Sequence, residues 1–154
     1  TADSCGYSAA MTENDYGWGS NMNLLKHGMI FLIADRIENS RRFLPYAEAQ
    51  LHYLLGVNAT GYSYVTGVGG FCCCYPHLRP AHADGIDECI PGMVSGGPNR
   101  YPCDEDAEIL IPKGTPPMKC YADDVGCYSL NEITIYWNSP AVFLIAGIVN
   151  ENNK

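Results

Sequence analysis

From Gly56 to Cys127 the chain runs for 72 residues without a sustained helical period, and that run limits what the protein can fold into. It holds eight of the ten prolines, eleven of the sixteen glycines and seven of the eight cysteines, so neither a long helix nor a broad sheet fits there. Short β-prone pieces such as Tyr62–Thr66 suit small hairpins, with no real sheet implied. Irregular stretches this long are uncommon inside a compact domain, and those that exist tend to carry binding or catalysis.

Helical patterns flank the run. Residues 1–19 are small, polar and glycine-bearing, a lead-in more than an element. Met22, Leu25, Met29, Leu32, Ile33 and Ile37 then recur at helical spacing, with Ser20 or Asn21 as the expected cap and Asn39–Ser40 as the stop. A second helix is expected from Phe43 to Leu55, with Phe43, Ala47, Leu51, Leu54 and Leu55 as its apolar positions. Pro45 lies in its first turn and Gly56 ends it. Residues 20–55 therefore read as a helical hairpin, 56–127 as a loop region and 128–149 as C-terminal helices. The last zone turns helical from about Ser129, with a break or kink at Pro140. Beyond Pro140, Val142, Phe143, Ile145, Ala146 and Val149 make a helix apolar almost all round, which demands burial on several sides. Three or four helices cannot supply that cover. Together with an opening at Thr1 that lacks an initiator Met, signal h-region or cleavage site, this leads us to expect a piece of a longer domain.

Composition excludes several classes. Hydrophobic residues make up 47% and charged residues 17%, enough apolar content for a core and too little charge for disorder. A formal charge of -8 argues against nucleic acid and against anionic membrane surfaces. The longest apolar runs fall short of a membrane span. The cysteines follow no two-plus-two zinc spacing, and the contiguous Cys72, Cys73 and Cys74 cannot all pair with one another. Buried thiols, or one or two local bridges, are expected.

Candidate chemistry is densest between Tyr121 and Ser139. Asp123 and Glu132 sit there among Tyr121, Tyr128, Tyr136 and Trp137. A carboxyl fenced by rings has its pKa raised towards that of a general acid, and rings also stack on sugar faces. The plainer reading is a helix start with Glu132 in its first turn. Trp18, between Gly17 and Gly19, is either a stacking platform or a core anchor. In Pro76-His77-Leu78-Arg79-Pro80, an extended backbone would point His77 and Arg79 to one side, as paired donors for hydroxyls or carboxylates. Salt bridges from the two to loop acids are the alternative. Asp84, Asp87 and Glu88 form an oxygen-rich turn, either a calcium candidate without EF-hand spacing or a solvated acidic turn. Gly96-Gly97-Pro98-Asn99 is a turn cluster without a phosphate-loop pattern.

These residues resemble family 9 of the glycoside hydrolases, the cellulase and endoglucanase family. Tyr121-x-Asp123-x4-Tyr128-x3-Glu132-x-Thr134-x3-Asn138-Ser139 matches that family's second signature at every fixed position. Ser63-Tyr64-Val65-Thr66-Gly67-Val68-Gly69 followed by Pro76-His77-Leu78-Arg79 is similar to its first. There Phe71 stands where Asn, Lys or Arg is usual, and Tyr75 replaces the usual Asn before the proline. Gly17-Trp18-Gly19-Ser20, Leu54-Leu55-Gly56-x-Asn58, Pro91-Gly92 and Gly96-Gly97-Pro98-Asn99 also look like family landmarks, so the resemblance runs from about Trp18 to Gly147.

The resemblance implies an all-α fold, the C-terminal part of an (α/α)6 barrel with long irregular loops between helices. It implies inverting, endoglucanase-type hydrolysis of β-1,4-glucosidic bonds, with Glu132 as general acid. His77 and Arg79 would hold sugar hydroxyls beside the scissile bond. Asp123 would shape the site and keep Glu132 protonated by like-charge repulsion. Trp18 would be a glucosyl platform, with Trp137, Tyr121 and Tyr128 as further aromatics near the acid. The partners implied are a β-1,4-glucan or cellooligosaccharide and the N-terminal half of the same domain; secretion follows from a polymeric substrate. No cofactor is required for the chemistry. The family's base comes from an Asp-Ala-Gly-Asp segment that this chain lacks, so the chain alone is expected to be inactive or nearly so. A non-catalytic carbohydrate-binding module and a metal-stabilised structural domain are the rival readings.

Overall fold

The computed structural model describes residues 2–153. Three helices make its frame: α1 (Ser20–Glu38), α2 (Leu44–Leu54) and, closing the chain, α6 (Ile135–Asn152). Single helical turns punctuate the long region between them, as α3 (Arg79–His82), α4 (Glu105–Leu110) and α5 (Tyr128–Asn131). The described residues contain no extended strand; the loops touch through isolated bridges, Ser63 with Cys72, Val65 with Val94, His77 with Glu132 and Ser95 with Ile133. No helix among the described residues is long and apolar enough to cross a membrane.

The hairpin forms where expected, but by different contacts. Gly19, in the left-handed region at φ 76°, occupies the cap position of α1, and the Ser20 hydroxyl is buried without a hydrogen-bond partner. Asn39, also left-handed, ends the helix. The buried stripe is Asn21, Leu24, Leu25, Gly28, Leu32 and Asp35, rotated from the expected face, and Ile33 and Ile37 are exposed. The rotation follows from close packing. A Cβ on Gly28 would lie 2.7 Å from Leu144, and one on Gly147 only 2.1 Å from Leu32, so α1 and α6 cross where both lack side chains. Asp35 then caps the next helix, its Oδ1 accepting the amides of Phe43 (2.8 Å) and Leu44 (3.1 Å). On α2 the buried face is Leu44, Ala47, Gln50, Tyr53 and Leu54, whereas Leu55 turns outward. Gln50 is fully buried and ties down the lead-in, accepting from Ala10 N (2.8 Å) and donating to Ser8 O (3.0 Å).

The break near the C-terminus lies at residues 132–134, where the chain is extended, instead of at Pro140. Pro140 sits inside a continuous α6, five residues past its first position. Its missing N–H leaves only the Tyr136 carbonyl without an intrahelical donor, and Tyr136 is exposed. One stripe of α6 (Trp137, Ala141, Leu144, Ile148) packs on α1 and α2. Val142 at 67%, Val149 at 54% and Ile145 at 41% exposure are left bare, the uncovered apolar surface that the sequence pattern implied.

The loop region holds its shape by bonding its backbone groups to side chains and to distant backbone. Asn58 gathers a turn by donating to Tyr53 O and Tyr62 O and accepting from Thr60 N and Gly61 N. Thr66 links to Ile90 and Met93, and Asn21 of α1 donates to Ser95 O at 2.9 Å. Asp104 caps α4 through Ala107 N and also accepts from the amide and hydroxyl of Ser129. Tyr53, Tyr64 and Tyr121 pack into the core beneath these loops, Tyr64 meeting Tyr121 edge to face and Tyr53 at a tilt.

Candidate active site

Glu132 lies where α5 ends. Its amide donates to Tyr128 O at 3.1 Å, and at φ -57°, ψ 147° the chain then leaves the helix and runs extended. It is therefore a helix end, and the expectation of a first-turn glutamate fails. Segments on both sides hold it. Its carbonyl accepts from Gly96 N at 3.2 Å, and its backbone pairs with His77 in a parallel bridge. Gly96 has no room for a side chain, since a Cβ would sit 2.9 Å from Leu130 O and 3.0 Å from the Trp137 ring. Residues paired across a bridge project to the same face, so Glu132 and His77 share one.

His77 is fixed twice. Its amide donates to Asn131 O at 2.9 Å, and its Nδ1 lies 2.6 Å from Val125 O. A carbonyl only accepts, so Nδ1 carries the hydrogen, and in the neutral imidazole Nε2 is the acceptor. The imidazole meets Tyr128 edge-on with centroids 5.8 Å apart, and Tyr128 packs at 5.7 Å on Trp18, which is 48% exposed. Trp18, Tyr128 and His77 thus form a row of rings from solvent to the bridge that carries Glu132. Tyr128 is anchored by its hydroxyl on Cys103 O (3.1 Å).

Arg79 does not follow the extended pattern expected of it. Leu78 is extended, but Arg79 opens the single turn α3 as an exposed residue followed by Pro80, so alternation no longer fixes its side relative to His77. Neither residue is salt-bridged to a loop acid; the ion pairs among the described residues are Arg36–Glu151 and Arg42–Glu38.

Asp123 is a loop anchor. Its carboxylate accepts from Cys74 N (2.7 Å), Tyr75 N (3.0 Å), the Cys73 thiol (3.2 Å) and Asn131 Nδ2 (3.4 Å). Those donors fix the loop leading to His77, and Glu132 is not among its hydrogen-bond partners.

Two predicted substrate-binding rings are core residues instead. Tyr121 is buried, its hydroxyl donating to Asn131 Oδ1 at 2.5 Å. Burial pushes that hydroxyl well above its ordinary pKa. Trp137 is buried under the turn that carries Trp18, where a Cβ on Gly19 would come within 2.6 Å of its Nε1. A ring inside the core cannot stack on a sugar.

The calcium candidates are not brought together. Asp84, Asp87 and Glu88 are exposed, and Asp84 accepts from Ile86 N in a local turn (2.8 Å). Among the described residues no three His, Cys, Asp or Glu side chains converge, the cysteine-rich loop included. All eight cysteines are free thiols. Burial pushes Cys127 up to about 12 and raises Cys73 further, so both stay neutral.

Sequence reasoning missed Asn131, Ser95 and Asp104, which organise the backbone around Glu132, and read Asn21 only as a helix cap. A cap signal did exist at Asp104, an aspartate followed by Glu105 and Asp106. For Asn131 the only hint was its place beside Glu132.

The sequence pattern of glycosyl hydrolase family 9 matches residues 2–145, further upstream than Trp18. The chain is 54% identical over 144 residues to a cellodextrinase of Butyrivibrio fibrisolvens, covering 94% of this chain and 26% of that protein. The fold superimposes on a single mutant of a thermostable endoglucanase from Alicyclobacillus acidocaldarius with a TM-score of 0.90 and 42% identity, over 96% of this chain and 28% of that one. AaCel9A, solved in complex with cellobiose-like isofagomine, matches equally well, at TM-score 0.90 and 42% identity over 97% and 28%. The chain therefore spans about a quarter of the length of these relatives. Its three frame helices are part of an (α/α)6 barrel.

Proposed function

The chain belongs to glycosyl hydrolase family 9, and from that premise we propose that it carries the acid-bearing, sugar-binding portion of a domain that hydrolyses β-1,4-glucosidic bonds. The observation that carries this reading is the pairing of Glu132 with His77 at the end of the Trp18–Tyr128 row of rings. Glucosyl faces would stack along the row, led by exposed Trp18. His77, with Nδ1 held on Val125, would accept from a sugar hydroxyl through Nε2, and Arg79 would donate to another beside it. Glu132 would protonate the departing glycosidic oxygen. Inversion needs a second carboxylate roughly 6.5–9.5 Å away to activate water. We assign that base to the part of the domain that precedes these residues, whose helices would also cover the bare faces of α1 and α6. Proton transfer and water attack require no cofactor. A polymeric glucan, acted on endoglucanase-fashion, would call for secretion of the enzyme.

The test compares this chain alone with the complete catalytic domain on carboxymethyl cellulose. The complete domain should release reducing ends steadily and the isolated chain almost none. Ordinary turnover by the chain alone would overturn the division of labour.

A further inference from the structure

We propose that Asn131 is the positioning residue that sets the distance between the acid Glu132 and the sugar-holding His77, an inference that rests on the glycosidase reading above. Asn131 is fully buried and ends α5, one residue before Glu132. Its side-chain nitrogen faces four oxygens: Ala122 O at 3.0 Å, Asp124 O at 3.2 Å, Asp123 Oδ1 at 3.4 Å and Tyr75 O at 3.5 Å. Its side-chain oxygen accepts from the Tyr121 hydroxyl at 2.5 Å and the Cys73 thiol at 3.6 Å. Its main-chain carbonyl takes the His77 amide.

One side chain therefore joins α5, the loop of residues 73–77 and the loop of residues 121–125. The last of these supplies the Val125 carbonyl that holds the imidazole. A shift of Asn131 moves Glu132 through the backbone, and moves His77 through both of its anchors. The cage demands a primary amide, with two N–H groups on one side and an acceptor on the other. An aspartate of the same shape would set a carboxylate against three carbonyls and the Asp123 carboxylate, with no donor for any of them.

A residue that merely stabilised the fold would slow all substrates alike. A residue that places the acid matters most where the leaving group needs a proton, because a misplacement of about 1 Å costs on the order of 10²-fold. In the complete catalytic domain, Asn131→Ala should lower kcat on cellotetraose by ~10–100-fold. On 2,4-dinitrophenyl β-cellobioside, whose phenolate leaves unprotonated, the loss should be no more than about threefold. Tyr121→Phe removes one partner of the Asn131 oxygen while keeping the core filled. It should give the same imbalance, smaller, and it decides the matter if the alanine variant does not fold. Glu132→Gln is the control and should show the largest imbalance. If the control is imbalanced and both other variants slow the two substrates equally, Asn131 has no positioning role. If Glu132→Gln slows both equally, the acid reading fails first and this inference falls with it.

Discussion

His77 and Glu132, far apart in sequence, are bridge partners, with the His77 amide on the carbonyl of the residue preceding the glutamate. The pairing makes the relative position of imidazole and carboxyl a property of the backbone. If His77 holds substrate while Glu132 does the chemistry, the two should separate kinetically. His77→Ala in the complete domain should raise KM for cellotetraose by about tenfold, the cost of one or two buried hydrogen bonds. The pH dependence of kcat should stay where it was. Steady-state kinetics from pH 4 to 8 check this.

Trp18 is half exposed and rests on Tyr128. Trp18→Ala should weaken cellooligosaccharide binding by roughly 0.5–1.5 kcal/mol, the scale of one lost ring contact. The melting temperature should barely change. Calorimetric titration on the complete domain, beside a thermal scan, tests both halves.

Trp137 should behave in the opposite way. Its ring fills the space under Gly19 and Gly96, so Trp137→Ala opens a core cavity and should cost about 3–5 kcal/mol of stability. Denaturant unfolding reads the loss directly. Gly147→Ala should also destabilise, by about 1–3 kcal/mol, because its Cβ would collide with Leu32 at the α1–α6 crossing.

Alkaline pH should unfold the protein early. Burial raises Cys73 above the ordinary thiol value of 9.0 and pushes Cys127 up to about 12. The unfolded chain releases these protons near pH 9, whereas the folded chain keeps them, so rising pH favours unfolding. The contribution of these two thiols should be flat below about pH 9 and fall from there towards pH 12. Cys127→Ala should make the decline shallower. Melting curves between pH 7 and 11 supply the measurement.

The helical frame was readable because α1, α2 and α6 announce themselves by apolar recurrence, by Pro45 and by Gly56. Their rotation was not, because Gly28 and Gly147 carry no hydropathy signal and yet decide where the helices touch. The site was legible through its spaced signature, which located Glu132 and His77. What that signature could not tell was which aromatics face inward. Tyr121 and Trp137 look identical in sequence to rings that line a groove, and only burial separates them from Tyr128 and Trp18. The loop-anchoring role of Asp123 was not legible either. Its carboxylate is met by two loop amides, an arrangement that depends on residues about fifty positions away.

The direct measurement of the central claim is kcat for cellotetraose in the complete domain with and without Glu132→Gln, with binding measured alongside. The account predicts a loss of ~10²–10⁴-fold in kcat with affinity nearly unchanged. Turnover at the unmutated rate would contradict it.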